Sequence, residues 1–142
     1  MSEERSDRSL KKRNSDDMSK ILIRTRNGNF IGELDQSDIS NAIWLSLPFT
    51  SDINMLGSEI FFECPIDCEK KGEQTTKMKT GDIAYWPKAS AMCLFFGPTP
   101  LSDDDDEPVS PYPVIKIGRL TGNFSALENA GDRMKITIEK TF

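Results

Sequence analysis

The sequence predicts a mainly β protein: one closed β-barrel of about eight short strands, with two short helices. Three observations carry this. Most apolar stretches are only four to seven residues long, and many alternate with polar residues at the strand period. Gly, Pro, Asn and Asp separate them at short intervals. Helical spacing occurs in only two places, one near each end of the β-rich region, which suits helices closing the openings of a barrel. With 142 residues, 37% of them hydrophobic, the chain fits a single domain.

Residues 1–19 read as a disordered tail, and 20–142 as the folded domain. The tail carries five basic and five acidic side chains and almost nothing apolar, so burial cannot offset its ordering entropy. Met18 begins an ordinary-looking start, MSKILIRT, so residues before it read as a dispensable extension or an upstream start. Ile21–Ile23 and Phe30–Ile31 flank Asn27-Gly28, a strong hairpin signal. Asp35 or Ser37 can cap a helix carrying Ile39, Ala42, Ile43 and Leu47 on one face, and Pro48 ends it. SEIFFEC is a strand with Ile60 and Phe62 on one side and Glu59, Phe61 and Glu63 on the other. Residues 65–76 are polar and read as a loop. Gly81-Asp82 leads into the strand IAYW, and a turn at Pro87–Ser90 leads into AMCLFF. That strand is apolar on both faces, as in a central strand or one that also lines a groove. LSDDDDEPVSPYP reads as an extended, solvated loop. VIKIGRL is a strand, FSALENA a short helix between Asn123 and Gly131, and MKITIEK a last alternating strand.

Composition removes several function classes. The net charge of −5, from 18 basic and 23 acidic residues, argues against nucleic acid as a partner, since phosphate binding needs a basic patch. The chain has no histidine, which excludes histidine bases, Ser-His-Asp and Cys-His arrangements and His-ligated metals. Three cysteines, Cys64, Cys68 and Cys93, do not make a disulfide framework. No apolar run is long enough for a signal peptide or a membrane span, so the cytoplasm is the expected compartment.

GDIAYWP, followed closely by CLFFGPTP, and the ending VIKIGRLTGNFSALENAGDRMKITIEK resemble the small cyclophilin-like family of prokaryotic proteins, whose function is unassigned. The resemblance covers residues 20–142 and implies a cyclophilin-like closed barrel. Residues 114–138 also look like the end of true cyclophilins, the peptidyl-prolyl isomerases. That fainter likeness implies an apolar groove on the outside of the barrel, walled by Phe61 and by Met92, Phe95 or Phe96. In the isomerases an arginine beside the groove polarises the prolyl nitrogen and a histidine completes the pocket. This chain has no histidine, and residues 53–57, where the arginine is expected, contain none. Amide rotation has a barrier of ~20 kcal/mol. Losing one preorganised donor costs ~3 to 4 kcal/mol of transition-state stabilisation. A groove without one binds peptides and catalyses weakly.

The candidate groove residues are Glu59, Phe61, Glu63, Tyr85, Trp86, Met92, Phe95 and Phe96, with core packing the competing account for each aromatic. Glu59 and Glu63 stand ~13 Å apart along a strand, too far for a glycosidase pair. Cys64 and Cys68 supply only half of a zinc site, and free thiols are the simpler account. Asp103–Glu107 lacks the alternation and glycine of a calcium loop. No catalytic residue, metal or cofactor is assigned. The leading expectation is a module that binds a peptide segment or small apolar ligand in this groove. A weak peptidyl-prolyl isomerase and a structural subunit that buries the patch in a homo-oligomer are the alternatives.

Overall fold

The computed structural model describes residues 19–68, 72–103 and 107–141. The described residues form ten strands in one sheet. These are β1 (Ser19–Thr25), β2 (Gly28–Leu34), β3 (Phe49–Asp52), β4 (Asn54–Leu56), β5 (Glu59–Glu63), β6 (Gln74–Lys77), β7 (Asp82–Trp86), β8 (Ala91–Phe95), β9 (Val109–Thr121) and β10 (Lys135–Thr141). One α-helix, α1 (Asp38–Ser46), follows the first hairpin, and 3-10 turns occupy Pro87–Ala89 and Ser125–Asn129. The second expected helix, FSALENA, is the latter turn.

The strand order is β3-β10-β1-β2-β9-β7-β8-β5-β4, with β6 added alongside β9. All pairings are antiparallel. The two edge strands β3 and β4 are consecutive in the chain, separated by Ile53 alone. The sheet therefore curls until its edges meet at one residue. Ile53 is fully buried there, and its N–H and C=O bond to Met134 O at 2.8 Å and Arg133 N at 2.7 Å. Among the described residues no ladder joins β3 to β4, so the sheet is not closed by hydrogen bonds, unlike the closed barrel expected.

Strand alternation separates two apolar clusters. Ile21, Ile23, Ile60, Phe62, Ile83, Tyr85, Met92, Leu94, Ile115, Ile117, Ile136 and Ile138 point into the main core, joined by Ile39 and Ile43 of α1 and by Leu127. The helix starts where expected. Ser37 caps it by accepting from Ser40 N, and Asp35 accepts from Ser37 N and from the Ser37 and Ser40 hydroxyls. β9 carries a bulge opposite β7: Ile83 pairs with Gly118 but Ala84 with Lys116. The carbonyl of the extra residue, Ile117, accepts from Asp35 N at 2.7 Å and ties the helix entry to the sheet.

Four boundaries differ from expectation, the first being Gln74–Thr76, expected to end a polar loop, which instead opens the strand β6. Ser19, placed in the tail, opens β1 and is buried; the rest of the expected tail lies outside the described residues. Residues 49–56, not read as strands, supply both edges. The segment VSPYP, read as solvated loop, is the first part of the 13-residue strand β9. Asp104–Asp106 of the acidic run, and residues 69–71, lie outside the described residues.

Candidate binding site on the outer face of the sheet

On the face opposite the main core, β5, β7, β8 and β9 build a second apolar cluster. Met78, Ala84, Cys93, Phe95 and Val114 are buried in it, and Phe61, Trp86 and Tyr112 lie half-buried over them. The period-two alternation that sends Met92 and Leu94 inward sends Cys93 and Phe95 outward. This explains why AMCLFF is apolar on both faces: one face belongs to the core and the other floors this cluster.

Tyr112 is the residue that completes it. β6 pairs with β9 at Thr75–Val114, and regular continuation would set Lys77 opposite Tyr112. Lys77 instead faces Val109, so β9 carries three extra residues at this point. Pro111 and Pro113 flank Tyr112 there, each lacking the N–H a ladder would need. Ser110 Oγ donates to Tyr112 O at 2.6 Å and accepts from Tyr112 N at 3.3 Å, fixing the bulged backbone. The bulge turns the Tyr112 ring onto the outer face. The ring stacks on Trp86 with centroids 3.5 Å apart and planes within 3°. Phe61 meets both rings edge-on, at 5.7 Å from Trp86 and 6.1 Å from Tyr112. The two edge-on contacts of Phe61 suit the aromatic quadrupole, whereas the Trp86–Tyr112 pair is held together by contact area.

Beside the stack lies a cleft of about 350 Å³, lined by Gln74, Trp86, Pro87, Lys88, Pro111, Tyr112 and Pro113. Three prolines and two aromatic faces make it largely apolar. Lys88 is the cation on its rim and is exposed.

Beneath the stack is a polar group in an apolar setting. Glu59 is fully buried, and the Tyr112 hydroxyl donates to its Oε2. Its other oxygen, Oε1, is buried without a hydrogen-bond partner. Burial outweighs the hydrogen bonds of Tyr112 and Cys93 and pushes the Glu59 carboxyl up to about 7. Burial also raises the Cys93 thiol and the Tyr112 phenol well above their usual values, and the nearby carboxyl adds to both. Near neutral pH the Glu59 carboxyl exchanges its proton beside a thiol and a phenol that both stay neutral.

The expected groove residues thus divide. Glu59, Phe61, Trp86 and Phe95 come together on the outer face, with Phe95 as buried floor. Glu63 shares that face of β5 but is exposed. Tyr85 and Met92 point the other way into the main core, and Phe96 packs against that core. The sequence pattern points to neither Tyr112 nor Cys93 as a groove residue. Cys93 was reachable from its two-residue offset to Phe95. Tyr112 was hidden because prolines on both sides demote a strand.

Among the described residues, no three Cys, Asp or Glu side chains gather closely enough to hold a metal ion. Cys64, Cys68 and Cys93 are free thiols. Cys64 donates to Ser90 O at 3.4 Å, and burial pushes it up to about 12. Among the described residues, no helix is long and apolar enough to cross a membrane.

A single antiparallel sheet, curled around one core and bearing an aromatic patch on its outside, defines the class of protein. The cyclophilin-like family matches residues 19–139, and the chain belongs to it. The solution structure of a hypothetical protein from Archaeoglobus fulgidus is similar, with a TM-score of 0.74 and 32% identity. The match covers 87% of this chain and 95% of that one. No curated protein matches the chain.

Proposed function

We propose that this domain binds a peptide segment or a small apolar ligand in the cleft beside the Trp86–Tyr112 stack. The observation that supports the reading is the stack itself: two large rings held parallel, face to face, at a cleft edge, half-buried rather than consumed by the core. Flat aromatic surfaces flanked by Pro87, Pro111 and Pro113 offer apolar contact at little cost in side-chain entropy. A peptide isomerase reading of the same cleft needs a donor for the prolyl nitrogen, and Lys88 is the cation that lines it.

Binding is tested by titrating the full chain with 1-anilinonaphthalene-8-sulfonate and, separately, with a short proline-containing peptide, reading backbone amide shifts by NMR. Shifts clustered on Gln74, Trp86, Lys88 and Tyr112 are expected, and they should vanish with Trp86→Ala. Shifts elsewhere, or none at millimolar probe, overturn the reading. A prolyl-peptide isomerisation assay at micromolar protein, repeated with Lys88→Ala, tests the catalytic variant; a flat result with intact fold sinks it.

A further inference from the structure

The cleft beside the Trp86–Tyr112 stack offers an uneven set of polar groups. Pro87, Pro111 and Pro113 line it and have no N–H. The Tyr112 N–H is taken by Ser110 Oγ, and the Tyr112 hydroxyl by Glu59. The main chain of Trp86 belongs to the β7–β8 ladder. A peptide segment laid here would find few donors for its carbonyls, and buried carbonyls need them. Apart from the two rings, the polar side chains on the lining are Gln74 and Lys88. Both are exposed. Among the described residues Lys88 enters no ion pair and the Gln74 amide no hydrogen bond. Nor does any acidic side chain line the cleft among those residues, although the chain carries a net charge of −5. The carboxyl of Glu59 lies beneath the stack and is fully buried there.

We propose that the ligand of this cleft is a small flat carboxylate, one or two rings carrying a single anionic group, and not a peptide segment. Its ring body lies against the aromatic and proline walls, and its carboxylate is received by Lys88 with Gln74 as a second donor. The inference rests on reading the cleft as a binding site and names which of the two ligand classes it takes. Size agrees: about 350 Å³ is at the small end of ligand pockets, about 300–1,000 Å³. Shape agrees, because a flat ring covers flat apolar walls while immobilising few rotatable bonds. Polarity agrees as well. A carboxylate only accepts hydrogen bonds, an ammonium only donates them, and the amide of Gln74 can donate too. Lys88 stands exposed on the rim, so the pair stays partly hydrated and neither charge is stripped of water.

The test titrates the full chain at pH 6 with 2-naphthoate, its neutral isostere 2-naphthamide and a short proline-containing peptide, following backbone amide shifts by NMR. 2-Naphthoate should bind at Trp86, Lys88 and Tyr112 about 5-fold more tightly than 2-naphthamide, the upper end for an exposed ion pair. It should also bind more tightly than the peptide. Raising the salt to about 0.5 M should narrow the gap between the naphthyl probes. Lys88→Gln, which breaks no ion pair among the described residues, should remove the preference and leave 2-naphthamide binding unchanged. Equal affinity of the two naphthyl probes at the cleft overturns the carboxylate assignment and keeps the binding reading. A peptide that binds the cleft more tightly than 2-naphthoate does the same. A preference for 2-naphthoate that persists in folded Lys88→Gln also overturns the assignment. No shift at the cleft with any of the three probes overturns the binding reading, and the carboxylate assignment with it.

Discussion

Glu59 is costly in its charged form. Its folded-state proton affinity is raised relative to the unfolded chain, so it favours folding fully below pH 4.5, and that contribution is lost as pH rises to about 7. Urea unfolding should show the protein less stable at pH 8 than at pH 5. Glu59→Gln should close most of that gap and gain on the order of 2–3 kcal/mol over wild type at pH 8. An equal stability difference in both proteins would assign the pH effect to other groups. Glycine gives a second residue-scale contrast. A Cβ on Gly118 would sit 2.1 Å from Glu33 O, within the β2–β9 pairing, whereas one on Gly122 meets nothing within 4 Å. Gly118→Ala should therefore cost at least ~3 kcal/mol through overlap with backbone. Gly122→Ala should cost only ~1 kcal/mol, from its φ of 72°. Thermal unfolding of the two variants checks the order.

At the scale of elements, what was legible follows from period and punctuation. The hairpin around Asn27-Gly28 forms as read, though Gly28 alone takes a positive φ, at 137°, while Arg26 and Asn27 make the turn. Ile60 and Phe62 on one side, with Glu59, Phe61 and Glu63 on the other, read as a strand because apolar residues recur at the strand period and acidic residues bound the run. The site was harder. Tyr85, Trp86, Met92 and Phe95 are all aromatic or large on adjacent central strands. Only the alternation phase of each, fixed by the ladders Tyr85–Met92 and Ala84–Cys93, tells core from outer face. Tyr112 depends on a slip in pairing between β6 and β9, a long-range property that a local pattern does not contain. Deleting Pro111, Tyr112 and Pro113 would restore even pairing there. It should leave the far-UV circular dichroism of the sheet in place while exposing Trp86, read as a red-shifted emission. Unchanged Trp86 emission would show that the bulge does not hold the stack.

For the whole molecule, Ile53 is the seam. It is fully buried, it separates the two edge strands, and it bonds on both sides to the Arg133–Met134 turn. Ile53→Ala removes apolar volume where no ladder compensates and should cost ~2–5 kcal/mol, measured by chemical denaturation. A cost under 1 kcal/mol would mean that the edges stay together without it. The family and the single sheet follow from the whole length of the chain, but the open seam does not. Closure turns on whether two short segments, 49–52 and 54–56, pair with each other or with their outer neighbours.

The position of β10 has a kinetic consequence. It lies between β1 and β3, yet it is synthesised after both. Until residues 135–141 emerge, two neighbouring strand edges in the nascent chain have exposed N–H and C=O groups and no native partner. Their sequence separation from that partner is long, which slows native pairing and lengthens the time these edges stay exposed. The net charge of −5 adds a general repulsion between copies of the chain that opposes encounters between such edges.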